Sequence, residues 1–444
     1  GQPEHPRVQS FHRWDDLGPL LRGLRRGEIG RVAVVGAGLV GCELAEAFGG
    51  LWGAEVVVVE AAATPLPGLL DPEVAACVAR HLESNGVELR LDSPVQQVEA
   101  DNDRATLVLG SESITADVVV VAVGVEPEVE LARAVGARLG PTGAIAVDER
   151  LATSLPHVWA AGDCIEVTDA VTGAPVFRPL GSLANRQGRT LANVLAGRRD
   201  AFPPAAGAVA AKVFDLGVAA TGCTEARARE SGIAIRSVWI TADDSAHYWP
   251  EAKRIHLKLV YERDSQRIVG VQTVGEGEVV KRVDVATQLV TRGATVAELA
   301  QMEHAYAPPY APAVEPLAVA ACAAQNQEDG VEAEPPTRPL EGVVDVRLPE
   351  ERERRPADAE QVEELSVVEL RDGRDASSSS DGRLVVCERG TRSAEAARLL
   401  LDRGKVRYLG GGLQWREAAQ GTKAPPSSAE DEGATPEPAA PARD

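Results

Sequence analysis

A glycine-rich loop between an apolar strand and a helix constrains this chain more than any other feature. In VAVVGAGLVGCELAE, residues 32–46, Gly36, Gly38 and Gly41 complete the pattern G-x-G-x-x-G. The first glycine permits a tight turn, the second lets backbone N–H groups approach a pyrophosphate, and the third lets the helix pack closely on the strand. Glu60 closes the next predicted strand, nineteen residues after Gly41, where an acid can bind a ribose hydroxyl. The alternative is a coincidental turn, but the acid at this spacing favours a dinucleotide site.

The residues after Glu60 bear on which dinucleotide is bound. Three alanines, 61–63, follow the acid, and no arginine stands there to meet a 2′-phosphate. The sequence therefore favours NADH over NADPH.

The alternation of strands and helices predicts the fold class. From Arg31 to about residue 125, apolar strands alternate with helices, which is typical of a parallel sheet covered on both faces. Between about 206 and 325 the pattern changes to that of an α+β module, with two alternating strands around RDSQR and a following helix. A further short α/β unit runs from GVVDVR to LGGGLQW.

Charge and hydropathy exclude several partners. The 444 residues include 46 basic and 67 acidic ones, a net charge of −21. This balance disfavours nucleic acid, which needs a basic patch, and disfavours an anionic membrane surface. The apolar run VVVVAVGV, 118–125, is far too short to span a bilayer. We predict neither a nucleic-acid nor a membrane partner.

The six cysteines are widely spaced and form no C-x-x-C pair. Five of them lack a partner that would indicate a reactive thiol, and we interpret them as small packing residues: Cys42, Cys77, Cys164, Cys223 and Cys322. This usage suits the reducing cytoplasm better than a disulfide framework, and no metal site is predicted. Met302 is the only methionine, so residue 1 is not a translation start. We therefore expect the chain to begin downstream of its native N-terminus.

Several stretches together carry a family resemblance. They are VAVVGAGLVGCELAEAF, AVGVEPEVELA, VWAAGDC, LGSLANRQGRTLANVLAG, HYWPEAKRIHLKL, VGVQTVG and YAPPYAPAVEP. Their order and spacing make residues 1 to about 325 resemble the pyridine nucleotide–disulfide oxidoreductases, particularly the branch of CoA-disulfide reductases, NADH oxidases and NADH peroxidases. The resemblance implies an FAD domain interrupted by an NAD domain, a dimerisation domain, FAD and NAD(P)H as cofactors, and a homodimer.

The resemblance also implies roles for individual residues. Gly162 and Asp163 of VWAAGDC would hold the ribityl chain of FAD, although Asp163 can also be a solvated acid at a strand end. Glu43 and Gly124 would lie beside the nicotinamide. Alternatively, Glu43 is an acid favoured by the helix N-terminus, and Gly124 belongs to a plain turn. The FAD pyrophosphate loop and the redox cysteine of the family would lie N-terminal to residue 1, so we expect this chain alone to bind flavin poorly.

Two tyrosines match a feature of the CoA-disulfide reductases. Tyr248 in HYWP and Tyr306 in YAPPY correspond to tyrosines that reach the active site of the neighbouring subunit in that group. A tyrosine hydroxyl could protonate or orient a thiolate leaving group. Packing at a subunit interface explains both residues equally well.

The C-terminal unit contains a second candidate site. In LVVCERGTRS, residues 384–393, Cys387 ends an apolar strand and precedes a loop and a helix. Loop amides and a helix N-terminus stabilise a thiolate. The loop C-x-x-G-x-R-S resembles the rhodanese active loop, which implies that Cys387 accepts sulfane sulfur and Arg392 holds an anionic donor. Residues 351–380 depart from the rhodanese pattern, and a buried residue at a strand end is the alternative for Cys387.

We therefore expect an α/β protein in which a Rossmann-like NAD domain is joined to part of an FAD domain, an α+β dimerisation domain and a small rhodanese-like domain. The predicted boundaries are 1–125 for the NAD-binding domain with its leading segment, 126–205 for the C-terminal part of the FAD domain, 206–325 for the dimerisation domain, 326–339 for a linker, 340–420 for the rhodanese-like domain and 421–444 for a disordered tail.

The functional hypothesis joins the two halves of the chain. It is an FAD- and NAD(P)H-dependent reductase of a disulfide, persulfide or polysulfide, such as a CoA derivative, coupled to sulfur transfer at Cys387. An NADH oxidase or peroxidase on the same scaffold is one alternative. A catalytically silent, NAD-binding dimer module is the other.

Overall fold

The first unit is built around a wholly parallel sheet. The computed structural model describes residues 5–374, 384–403 and 406–421, so the predicted tail beyond Gly421 lies outside the described residues. The elements of the first unit are β1 (Val8–Ser10), α1 (Trp14–Arg26), β2 (Arg31–Val35), α2 (Leu39–Glu46, extended by a π-helical turn at Ala47–Leu51), β3 (Glu55–Val59), α3 (Pro72–Ser84), β4 (Glu88–Arg90), β5 (Gln97–Ala100), β6 (Ala105–Leu109), β7 (Glu112–Ala116) and β8 (Val118–Val121).

The strand order of this sheet is β1-β8-β2-β3-β4. The central strands are apolar on both faces because helices cover one face and the antiparallel strands β5-β6-β7 cover the other. Asp71 is the N-cap of α3 and Pro72 its first residue, a pattern that is typical of a helix start. This arrangement is the predicted Rossmann-like sheet. Strand β1 at its edge is not indicated by any sequence pattern.

The second unit, residues 126–205, has little regular structure. Its elements are α4 (Glu130–Ala134), β9 (Glu166–Thr168), β10 (Pro175–Phe177) and α5 (Gly181–Leu195). A separate apolar cluster, which includes Ile165, Leu183 and Phe202, holds it together.

The third unit is an antiparallel sheet covered by helices. Its elements are β11 (Val209–Val213), β12 (Leu216–Gly222), α6 (Glu225–Glu230), β13 (Ile235–Asp243), β14 (Arg254–Glu262), β15 (Ile268–Gly275), α7 (Val280–Arg292), α8 (Val296–Ala300) and α9 (Pro316–Glu328). The strand order is β11-β12-β15-β14-β13. The strand pair around RDSQR and the following helix agree with the predicted α+β module.

The C-terminal unit is a second, smaller parallel sheet. Its elements are β16 (Glu332–Glu334), β17 (Gly342–Asp345), α10 (Pro349–Arg354), β18 (Gln361–Glu364), α11 (Val367–Arg371), β19 (Leu384–Val386), α12 (Thr391–Leu400), β20 (Arg407–Leu409) and α13 (Gly412–Gln420). The strand order is β16-β20-β19-β17-β18. The prediction that residues 326–339 form a linker is wrong in part. Strand β16 lies within this stretch and pairs with β20, so it is an edge strand of this sheet.

Buried side chains join the first, third and C-terminal units. Trp415 of α13 is fully buried, and its indole N–H donates to the backbone oxygen of Glu73 at 3.2 Å. Lys258 of β14 is also fully buried, with Asp71, Glu73 and Glu225 within 3.0 Å. Burial alone would lower the pKa of Lys258, but the three carboxylates outweigh it and raise that pKa. The charge cluster thus joins the first and third units, whereas the buried side chain of Trp415 fixes the C-terminal unit against the first.

No helix among the described residues is long and apolar enough to cross a membrane.

His256 makes the packing around Trp415 sensitive to pH. Its ring lies 5.1 Å from that of Trp415, and its Nδ1 lies 2.9 Å from the hydroxyl of Thr241, which itself donates to the backbone oxygen of Gly411. Burial, with the nearby charge of Arg254, lowers the pKa of His256 from 6.5 to about 3. Below pH 6.5 the unfolded chain therefore binds a proton that the folded protein excludes.

We expect the stability contributed by neutral His256 to be complete above pH 6.5 and to be lost as the pH falls towards 3, by up to about 1.4 kcal/mol per pH unit. Carboxylates titrate in the same range, so the comparison is with His256→Gln, whose amide can still donate to Thr241. Thermal unfolding from pH 7 to 4 should show a shallower slope for the variant. Equal slopes for the two proteins would contradict the assignment.

Candidate functional site

The glycine loop has the geometry that its sequence predicts. Gly36 has a φ of +104°, and a Cβ there would lie 2.5 Å from the backbone oxygen of Ala122. A Cβ on Gly41 would lie 1.9 Å from the backbone oxygen of Gly36. Gly38 differs, because a Cβ there meets no atom within 4 Å. The first and third glycines are therefore required by packing, whereas the second leaves an open space above the N-terminus of α2.

The other predicted nucleotide residues lie around this loop at the carboxyl edge of the parallel sheet. Glu60, at the end of β3, accepts hydrogen bonds from the backbone N–H groups of Ala37 at 2.7 Å and Ala62 at 2.8 Å. Gly124 follows β8, two residues after the backbone that Gly36 contacts, and has a φ of +105° with open space around it. Glu43 is exposed on α2 and lines a cleft of about 400 Å³ shared with the third unit. Ligands in open α/β sheets bind at this edge.

Replacing Glu60 by alanine should have two effects. Loss of the carboxylate leaves the buried N–H of Ala37 without its acceptor, which should cost about 1–3 kcal/mol of stability. The variant should also lose its preference for NADH over NADPH, because the acceptor for the ribose 2′-hydroxyl is removed.

Glu60→Gln is the matched control for the Glu60 prediction. Its amide oxygen can still accept one of the two backbone hydrogen bonds, so it should be nearer to the wild type in stability. Thermal unfolding and nucleotide titrations measure the two effects. Unchanged discrimination in Glu60→Ala would refute the ribose assignment.

Gly162 and Asp163 lie beside helix α5 of the second unit. The buried side chain of Gln187, on α5, accepts a hydrogen bond from the N–H of Gly162 at 2.7 Å. Gly162 has a φ of +91° and open space where a Cβ would stand, and the side chain of Asp163 is exposed. An exposed acid next to an open glycine suits the polyol chain of a flavin. No sequence pattern indicates Gln187, because its role depends on the tertiary position of α5.

Tyr248 and Tyr306 lie together on the surface of the third unit. Their hydroxyl oxygens are 3.5 Å apart, and the side chains are 63% and 50% exposed. The contact with the hydroxyl of Tyr306 raises the pKa of Tyr248. The two residues are 58 positions apart in sequence, so the fold, not local spacing, creates this pair.

Cys387 lies in a cradle of hydrogen-bond donors. Its Sγ accepts from the backbone N–H of Gly390 at 3.2 Å and of Ser393 at 3.3 Å, and the thiol donates to the hydroxyl oxygen of Ser393 at 3.3 Å. The thiol is 1% exposed and faces the N-terminus of α12. Amide donors and a helix N-terminus both favour a negatively charged sulfur. Ser393 thus contributes a backbone donor to the sulfur and a side-chain acceptor for the thiol proton, a role that the sequence pattern only partly indicates.

Arg392 is not free in this structure. Its guanidinium makes two hydrogen bonds of 2.6 Å to the carboxylate of Glu351, on helix α10. These bonds lower the pKa of Glu351 to about 2 and raise that of Arg392. Glu351 lies in the stretch that departs from the rhodanese pattern, and nothing in the sequence links it to Arg392.

Three of the other five cysteines differ in their burial. Burial raises the pKa of both Cys42 and Cys77 to about 12, so these thiols stay protonated, in agreement with the packing role predicted for them. Cys322 is exposed on α9. The expectation that it is a small core residue is therefore wrong, because its neighbours on α9 form the buried face instead. All six cysteines are free thiols.

Comparison with known proteins identifies the class. Residues 5–180 match the family model for pyridine nucleotide-disulphide oxidoreductases, and residues 209–318 match the dimerisation domain of the same family. An NADH oxidase of Methanocaldococcus jannaschii is 34% identical over 307 residues, which cover 69% of this chain and 68% of the relative. The chain belongs to the pyridine nucleotide-disulphide oxidoreductases, an FAD-dependent enzyme family.

Two further relatives have names that refer to sulfur or persulfide substrates. The NAD(P)H sulfur oxidoreductase (CoA-dependent) of Pyrococcus abyssi is 35% identical over 67% of this chain and 66% of its own length. The NAD-dependent persulfide reductase from A. fulgidus matches with a TM-score of 0.88 and 37% identity, over 93% of this chain and 76% of that structure. The chain spans about two thirds of the length of the curated relatives that it matches.

The cofactors of the family are FAD and NAD(P)H. The open space at Gly38 and the open position at Gly162 beside exposed Asp163 fit a nucleotide and one side of a flavin respectively.

Proposed function

We propose that this protein is an NAD(P)H-dependent reductase of persulfides, polysulfides or disulfides, with CoA derivatives as substrates, and that its C-terminal unit is a rhodanese-like sulfur-transfer domain. The observation that carries the proposal is the cradle around Cys387, in which two backbone N–H groups and a helix N-terminus face one thiol. A sulfur-accepting thiol in the same chain as a family reductase gives the reductase a sulfur substrate. The likeness to a persulfide reductase over 93% of the chain supports the same reading.

Each group of residues has a role in this proposal. FAD and NAD(P)H, when bound, supply the hydride chemistry. Gly36 and Gly41 shape the loop in which Gly38 leaves room for the nucleotide pyrophosphate. Glu60 holds the ribose of the nucleotide, and Glu43 and Gly124 lie beside the nicotinamide. Gly162 and Asp163 hold the polyol chain of the flavin.

The remaining roles concern sulfur. Tyr248 and Tyr306 orient or protonate a thiolate leaving group, and we propose that they do so across the interface of a homodimer in the cytoplasm. Cys387 attacks the outer sulfur of a persulfide R–S–SH, so that the S–S bond breaks and R–S⁻ leaves with the electron pair and takes up a proton. The sulfur then resides on Cys387 as a persulfide.

An anaerobic assay distinguishes this proposal from the second candidate. The second candidate is an NADH oxidase, which the name of one relative suggests, and its electron acceptor would be oxygen. With FAD and NADH supplied, oxidation of NADH that requires a CoA persulfide or disulfide and proceeds without oxygen supports the reductase. Oxidation that requires oxygen and ignores sulfur compounds would favour the oxidase and contradict the reductase.

A further inference from the structure

The cations around the Cys387 loop are already neutralised by carboxylates. Arg392, the second residue of α12, lies close enough to Cys387 for their charges to interact, and Glu351 pairs with it through two 2.6 Å hydrogen bonds. Other arginines near the loop are paired as well: Arg347 with Asp345 and Glu388, Arg352 with Glu364, Arg355 with Glu388 and Glu417, and Arg389 with Asp243. An incoming dianion therefore meets no unpaired guanidinium among these side chains.

Glu351 is held firmly in this position. Its Oε2 also accepts the backbone N–H of Leu348 at 2.9 Å, so the carboxylate closes the first turn of α10 while it binds Arg392. Both side chains of the pair are partly buried, with exposed fractions of 30% and 28%, which weakens screening by solvent. A small anion that competes for Arg392 must displace a carboxylate with three hydrogen bonds.

We propose that Glu351 determines donor specificity at Cys387, by occupying Arg392 so that the site excludes thiosulfate and accepts an organic persulfide whose arm carries no charge near its sulfane sulfur. This inference rests on the proposed sulfur transfer. With thiosulfate, the Cys387 thiolate would attack the sulfane sulfur, the S–S bond would break and sulfite would leave with the electron pair. Thiosulfate is a dianion and needs a free cation to bind, whereas a persulfide with an uncharged arm does not.

The test uses two alkylating reagents of similar size and different charge. Iodoacetate is an anion and iodoacetamide is neutral, and both modify Cys387 within the tryptic peptide 384–389, which separates it from exposed Cys322. Glu351→Gln keeps an acceptor for Leu348 and removes the negative charge. We expect it to raise the iodoacetate-to-iodoacetamide rate ratio at Cys387 about tenfold, because Arg392 is no longer neutralised. Adding Arg392→Ala to this variant should cancel the gain.

Glu395→Gln is the matched control. Glu395, which lies on helix α12 with Arg392, makes a similar two-bond pair with Arg371 of helix α11, and the described contacts join it to neither Arg392 nor Cys387. Its removal should leave the rate ratio unchanged. An unchanged ratio in Glu351→Gln, an equal change in Glu395→Gln, or a Cys387 that neither reagent reaches would overturn the proposal.

Sulfur loading separates this inference from the proposed function. The persulfide of 2-mercaptoethanol should load Cys387 in both wild type and Glu351→Gln, whereas thiosulfate should load the variant about tenfold faster than the wild type. If neither donor loads Cys387 but the alkylation ratio still shifts, the sulfur-transfer function fails and the charge effect of Glu351 stands. If the organic persulfide loads Cys387 but thiosulfate loads both proteins equally, only the role of Glu351 fails.

Discussion

Cys387→Ser should abolish sulfur transfer from an organic persulfide to a small thiol acceptor. The hydroxyl of serine is a far weaker nucleophile than a thiolate near neutral pH, and it cannot carry sulfane sulfur. The fold should persist, because serine is slightly smaller and can accept the same N–H groups of Gly390 and Ser393. Release of persulfide-derived sulfur to the acceptor thiol measures the effect.

Cys322→Ser is the control for this prediction. Cys322 is exposed, so reagents in solution can reach it, but no amide cradle surrounds it in the described contacts. Its replacement should leave the transfer rate unchanged. Transfer that survives in Cys387→Ser and disappears in Cys322→Ser would show that Cys322 and not Cys387 carries the activity. That result would refute the C-terminal site.

Gly38→Ala should weaken NADH binding by about tenfold or more without loss of stability. The added methyl group meets no protein atom within 4 Å, and the backbone at Gly38, with a φ of −73°, suits alanine. The methyl group would occupy the space through which the pyrophosphate approaches the N–H groups at the start of α2. Thermal unfolding without nucleotide and a binding titration separate the two effects.

Gly41→Ala provides the contrast. A Cβ there would overlap the backbone oxygen of Gly36, so this variant should lose stability as well as binding. If Gly38→Ala binds NADH as the wild type does, the nucleotide does not lie over this loop. If it unfolds as readily as Gly41→Ala, the second glycine is needed for packing and not for the ligand.

Local patterns predict the parts of the structure that depend on local physics. The glycine loop, the start of α3 and the strand pair around RDSQR follow from turn geometry, helix capping and hydrophobic alternation, which act over a few residues. Strands β1 and β16 have three residues each, too few for a periodic signal, and their pairing partners lie far away in sequence. They therefore escaped prediction.

The site residues divide in the same way. Cys387 was predictable because the whole cradle lies within seven residues of the sequence, 387–393. Glu351 was not, because it meets Arg392 only through the packing of α10 against the loop, across 41 positions. Likewise, the exposure of Cys322 depends on which face of α9 the third unit covers, and a run of alanines gives no signal for that face.

A mass spectrum of the wild-type chain tests the central claim most directly. After incubation with an organic persulfide and removal of excess reagent, the tryptic peptide 384–389 should carry one additional sulfur atom on Cys387, and thiol treatment should remove it. An unmodified peptide, or sulfur found only on exposed Cys322, would contradict the proposal that this chain has its own sulfur-transfer site at Cys387.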